Sequence, residues 1–127
     1  MAITQAICNS FKEELLEGTH DLDGHTLKLA LYTSSATLGA TTTAYSTTNE
    51  SSGTNYTAGG ATLSSVADVS FSSATISDAA GALIYNSSAS NKAIAVIDFG
   101  AKKSVTSGTL TISLPAAAAS TAIIRIS

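Results

Sequence analysis

Apolar side chains recur every fourth position near the start of the chain: Ile3, Ile7, Phe11 and Leu15, with Ala6 and Leu16 beside the stripe. Such spacing places them on one face of a helix. Lys12, Glu13 and Glu17 fall off that face, and Gly18 stands where a helix C′ residue belongs. The pattern predicts a helix over 3–17, its Ile/Phe/Leu stripe turned toward the domain or a partner. After the turn residues Asp21-Leu22-Asp23-Gly24 the period changes to two. Leu27, Leu29 and Leu31 alternate with Thr26, Lys28, Ala30 and Tyr32, a half-buried strand.

Residues 34–60, SSATLGATTTAYSTTNESSGTNYTAGG, break both periods. So long a polar stretch reads as a functional or mobile loop, with Tyr45 and Tyr56 as its aromatic residues. Strand signals return at short intervals after it. Leu63, Val66, Val69 and Phe71 mark one strand or a bulged pair, Thr75-Ile76 a short piece, and Ala82–Tyr85 another strand. Asn86–Asn91 is a turn, Ala93–Phe99 the most hydrophobic strand, and Ala101–Gly108 a polar turn. Leu110, Ile112 and Leu114 alternate up to Pro115, and Ala122–Ile126 reads as a final strand. One helix with six to eight short strands, turning every ~8–12 residues, predicts a mainly β protein. The expected architecture is a single domain over 1–127, an antiparallel β-sandwich with one N-terminal α-helix. Jelly-roll and immunoglobulin-like topologies both fit.

Composition narrows the possible roles. Ser, Thr and Ala occupy 60 of 127 positions, and charged residues are 12%, half of the ~25% usual in soluble domains. Six Lys+Arg against nine Asp+Glu leave no basic stripe for phosphates, so no nucleic-acid partner is expected. No run approaches the ~20 apolar residues of a membrane helix, and Met1–Ser10 lacks the pattern of a secretory signal. Leu, Ile, Val and Phe supply 28 residues at small net charge, which argues for a folded core rather than disorder. The result is a smooth, weakly charged, hydroxyl-coated surface suited to packing against copies or partners.

The residues that could carry chemistry are few. His20, Asp21, Asp23 and His25 form the most site-like cluster, with imidazole and carboxylate donors for a divalent metal. An EF-hand loop starting at Asp21 would need Glu at its twelfth position, where Tyr32 stands, and a helix-to-strand bend explains the same residues. There is no G-x-S-x-G elbow and no base outside that turn to activate a serine. Glu50, Asp68, Asp78 and Asp98 are widely spaced, with no sign of a glycosidase pair. Cys8 reads as a small buried hydrophobe. Asp98 and Arg125 either pair inside the sheet or both face solvent. No catalytic, cofactor or metal residue is assigned, and no enzyme is expected.

Three ordered stretches carry a resemblance: MAITQAICNSFKEELLEG, LKLALYTSSATLGATTTAYSTTNESSGTNYTAGG and GALIYNSSASNKAIAVIDFG. Over Met1–Gly100 the chain resembles small virion structural proteins of tailed bacteriophages, most specifically at Asn49–Gly60 and Gly81–Gly100. Ser52 and Asn55 stand where that group favours Val and Gly. The resemblance implies an assembly component, of the head decoration (cement) type with a sandwich or jelly-roll core. Such a protein is made in the host cytoplasm, sits on the capsid exterior, binds the major capsid protein and associates with further copies of itself. The expected contact residues are Tyr45, Asn49, Glu50 and Tyr56 in the polar segment and Ile3, Ile7 and Phe11 on the N-terminal stripe. The alternative is a tail-associated or host-attachment sandwich that binds surface glycans.

Overall fold

The alternating positions of residues 27–32 become a central strand. The computed structural model describes residues 3–19, 25–63 and 69–112. Its elements are β1 (Ala6–Ile7), α1 (Asn9–Leu16), β2 (Leu27–Tyr32), β3 (Gly53–Thr54), β4 (Ala61–Leu63), β5 (Val69–Asn86) and β6 (Lys92–Ile112). The strands form one antiparallel sheet of six, in the order β1-β6-β5-β2-β4, with β3 added to β5. Among the described residues the protein is therefore mainly β with one short helix.

The core is the strip where β2, β5 and β6 lie side by side. Leu29 faces Ile84, which faces Ala95; Ala30 faces Leu83, which faces Val96. Cross-strand partners share a face and successive residues alternate, so these two rows lie on opposite faces. Every one of these side chains is at most 2% exposed. The sheet is thus covered on both sides here, which explains why 82–85 reads as a continuous apolar run rather than an alternating one. Fully burying a Leu or Ile side chain contributes roughly 1.5–3 kcal/mol, and this strip concentrates that contribution.

The N-terminal helix is shorter than the spacing predicts. Residues 3–7 are extended: Ala6 and Ile7 pair with Val96 and Ala95, and Ile3 bridges to Leu38. Only Asn9–Leu16 is helical. An i, i+4 stripe fits an edge strand at Ile3 and Ile7 once the exposed flank of β6 offers a ladder for their backbone. Phe11 stays on the inner face, fully buried, while Leu16 is 88% exposed. Glu14 meets Lys92 at 3.5 Å, tying α1 to the start of β6.

Of the strand or bulged pair expected from Leu63, Val66, Val69 and Phe71, Leu63 ends β4, Val69 and Phe71 open β5, and Val66 lies outside the described residues; the pieces expected at 75–76 and 82–85 belong to the same β5, and the expected polar turn at 101–108 lies inside β6. Both strands absorb their turn-like residues as irregularities. Register shifts fall between Phe71 and Ala74, Ala74 and Ile76, Ile76 and Ala79, and Ala79 and Gly81. Ser73, with φ 51°, and Gly100, with φ 79°, take the left-handed turns that such bulges need. The readings placed on 113–127, including the Ala122–Ile126 strand and the Asp98–Arg125 pair, lie outside the described residues, as do His20–Gly24.

Gly60 decides how the chain re-enters the sheet. Its φ is +81°, and a Cβ there would stand 1.8 Å from the Leu29 carbonyl oxygen. Only glycine lets the backbone approach β2 so closely. Gly60→Ala is expected to lower the unfolding free energy by about 2–4 kcal/mol, from left-handed strain plus displacement of β4. Urea unfolding checks this; a loss under about 0.5 kcal/mol would mean that this approach is not a constraint.

Candidate functional site

The polar segment is a strap tied down along its length. It leaves the sheet after Tyr32 and returns at Ala61. Its residues 49–51 first run beside the end of β2: Thr33 N–H donates to the Asn49 carbonyl (2.9 Å), Tyr32 bridges Glu50, and Ser51 N–H donates to the Leu31 carbonyl (2.8 Å). The chain then swings out through β3 and comes back at Gly60. Between those two approaches the Leu31 N–H has no strand beside it. The Tyr56 hydroxyl accepts it at 2.9 Å.

That hydroxyl belongs to a knot around one carboxylate. Tyr45 donates to Glu50 Oε1 at 2.6 Å. Tyr56 donates to Glu50 Oε2 at 2.6 Å, and the Gly59 N–H donates to the same oxygen at 2.7 Å. Both hydroxyl distances are in the range of charge-assisted bonds. Tyr85 donates to the Gly59 carbonyl at 2.6 Å and stacks on Tyr45, with ring centres 4.7 Å apart. Tyr32 donates to the Ser46 carbonyl at 2.6 Å. All four tyrosines of the chain therefore hold this one segment, two through Glu50 and two through backbone carbonyls.

Further ties fix its margins. Asp78 accepts from both the N–H and the hydroxyl of Ser34, each at 3.0 Å, and its own carbonyl accepts from the Ser51 hydroxyl at 2.6 Å. Toward the N-terminal edge, Thr4 N–H and Asn9 N–H donate to the carbonyls of Leu38 and Ala40, both at 2.8 Å. The strap is thus pinned to β1, α1, β2 and β5. Its outward positions carry no charge: Thr41, Thr43, Ala44, Ser46 to Asn49, Ser52 to Asn55, Thr57 and Ala58 are all exposed.

The expected contact residues separate into two groups. Tyr45, Glu50 and Tyr56 come together, but inward: Tyr56 is 8% exposed and Tyr45 and Glu50 are half-buried. Asn49, exposed with φ 61°, is the outward member, and its amide donates to the Ser35 carbonyl at 3.3 Å. Ile3, Ile7 and Phe11 sit on β1 and α1 and the residues before them, where Ile3 bridges Leu38 of the strap, with Ile3 and Ile7 half-buried and Phe11 fully so. Tyr32, Tyr85, Gly59 and Asp78 are the members that sequence reading missed. The available signal was scarcity: in a chain with four tyrosines and no Trp, each aromatic hydroxyl is worth tracing.

The electrostatics follow from this packing. Burial pushes the Tyr32 hydroxyl up to about 12. Tyr45 and Tyr56 are raised further, first by burial and then by their bonds to Glu50. Tyr85 is raised by burial and by the Glu50 charge. Burial, and then the nearby Glu14, lifts the Cys8 thiol to about 11, leaving it unreactive at neutral pH. Among the described residues no three His, Cys, Asp or Glu side chains gather as a metal set. His25 Nδ1 lies 2.9 Å from the Asn86 amide nitrogen. No helix among the described residues is long and apolar enough to cross a membrane. No protein family matches this chain, and neither curated proteins nor solved structures give a significant match.

Two outcomes test the knot. Glu50→Ala strands three donors and is expected to cost about 2–4 kcal/mol. Glu50→Gln, which still accepts through one oxygen, is expected to cost less than half of that. Equal stability of the Ala variant and the native protein in urea would show that the knot holds nothing. The second outcome concerns pH. An unfolded tyrosine titrates near ~10, and all four folded hydroxyls titrate higher. Above ~10 the unfolded state therefore binds fewer protons, and stability falls as pH rises toward the folded values. Phenolate absorbance is expected to appear together with cooperative unfolding. A smooth titration near 10 with the fold intact would contradict this.

Proposed function

We propose that the protein is a virion structural subunit of a tailed bacteriophage, of the head decoration type. It binds the major capsid protein on the capsid exterior and braces the shell without catalysis or a cofactor. The observation that carries this reading is the strap: a rigid segment whose outer face has many hydroxyls and no charge. Covering such a face removes no ion from water, so the desolvation penalty is small. Holding it in one conformation beforehand lowers the entropy lost on docking. Many such contacts, repeated over a shell, make weak single attachments effectively permanent.

The contact surface in this reading is the outward rim around Asn49, with Tyr45, Glu50 and Tyr56 holding it in shape from beneath. On α1 the outward contact, with the capsid or with another copy of the chain, is Leu16, a large apolar side chain left in solvent, in place of the buried Phe11, beside the half-buried Ile3 and Ile7. The finer fold assignment, a sandwich of jelly-roll or immunoglobulin-like type, belongs to the same proposal. Burial of β5 on both faces between Ala82 and Asn86 supports it.

Imaging of particles carrying a labelled copy of the chain is expected to show it spread over the whole icosahedral shell. Confinement to a single vertex would overturn the decoration reading in favour of a tail or attachment role. The double variant Thr47→Arg, Ser52→Arg, at two exposed positions either side of Asn49, is expected to reduce occupancy on particles at unchanged melting temperature. Full occupancy would move the contact away from the strap.

A further inference from the structure

Within the strap, residues 36–49 fold around a cleft of about 420 Å³, inside the ~300–1,000 Å³ range of small-ligand sites. Tyr32 lines it from β2, and Leu38 and Ala44 supply apolar wall. Thr41, Thr43 and Thr48 line it too, and all three are solvent-exposed. Among the described residues no Asp, Glu, Lys, Arg or His borders the cleft. The walls are built rather than loose. Thr42 and Gly39 exchange two bonds of 3.0 Å, the Thr43 carbonyl accepts from Ala93 N–H at 3.0 Å, and Tyr45 N–H donates to the Asn91 carbonyl at 2.9 Å.

From this lining we infer that the cleft binds a neutral saccharide. A charged ligand would lose its hydration there with no counter-charge to replace it. A wholly apolar one would cover threonine hydroxyls without bonding them. A sugar satisfies both parts of the wall: its hydroxyls donate and accept, as threonine hydroxyls do, and its C–H faces meet Leu38, Ala44 and the threonine methyls. An extended peptide fits less well. The backbone groups of Thr42, Thr43 and Tyr45 named above are already bonded within the protein, so what remains is rotatable hydroxyls and not a ladder. Tyr32 is 1% exposed and offers no open ring for stacking, so each cleft binds weakly and useful attachment comes from many copies. The inference does not rest on the virion reading, and either can fail alone.

The test is a titration of the folded, full-length protein with glucose, galactose, mannose and N-acetylglucosamine, followed through backbone amide shifts. Glucuronate serves as the charged comparison. The expected result is saturable binding of at least one neutral sugar, with shifts confined to residues 36–49 and weaker binding of glucuronate. The triple variant Thr41→Val, Thr43→Val, Thr48→Val keeps the shape of the wall and removes three of its exposed hydroxyls. It is expected to bind at least about tenfold more weakly with an unchanged amide spectrum elsewhere. Ala44→Trp, at an exposed lining position, is expected to block binding. No saturable response to any of the neutral sugars, shifts centred outside 36–49, tighter binding of glucuronate, or full affinity in the valine variant would each overturn the proposal.

Discussion

A polar segment as long as residues 33–60 can be ordered only if its backbone and side-chain groups find partners, because Ala36, Leu38, Tyr45 and Tyr56 are the few apolar side chains it brings to the core. In this protein the requirement converges on the Glu50 carboxylate. It gathers two tyrosine hydroxyls and the Gly59 N–H, and Tyr56 in turn closes the gap that the chain leaves beside Leu31. Without that carboxylate the strap would lose its central tie, and the outer flank of β2 would keep an amide with no strand beside it. The rest of the strap geometry, including the stack of Tyr45 on Tyr85, hangs from this arrangement.

The sheet and the strap depend on each other through different kinds of force. The sheet is held by apolar contact across β2, β5 and β6, where both faces are covered. The strap is held by directed bonds, which contribute modestly when made and are costly when left unmade. That difference gives the molecule a tolerant interior and an exacting cover. A change among Leu83, Ile84 and Val96 can be accommodated by repacking, whereas a change at Glu50 or Tyr56 leaves specific donors and acceptors unpaired. These bonds hold the uncharged, hydroxyl-bearing outer face of the cover in one conformation.

The N-terminal stretch and the long hairpin show where periodicity misleads. Ile3 and Ile7 satisfy a helical spacing, yet they lie outside the helix because β6 pairs with Ile7 and Leu38 of the polar segment bridges Ile3. Ser72, Ser73, Asp78, Gly100 and Lys102 look like turn residues. They sit inside two strands because bulges accommodate the extra residues without ending the ladder. In both cases a long-range pairing outweighs a local preference, as is common for β-structure.

The amino-acid sequence by itself determined the mainly β character, the strand at 27–32, the β-structure of 82–85 and 93–99 within longer strands, the burial of Cys8, and the extent of the polar segment. These follow from local alternation and composition, which need no knowledge of the partner strand. Only the tertiary structure decided the sheet order, the length of β5 and β6, and the fate of the four tyrosines. Tyr32, Tyr45, Tyr56 and Tyr85 are far apart along the chain, and nothing local distinguishes a tyrosine that faces a partner from one that bonds Glu50. Their convergence depends on β2 and β5 lying side by side and on Gly60 bringing the strap back against Leu29, a close approach that pairing across the sheet creates and no short window of residues encodes.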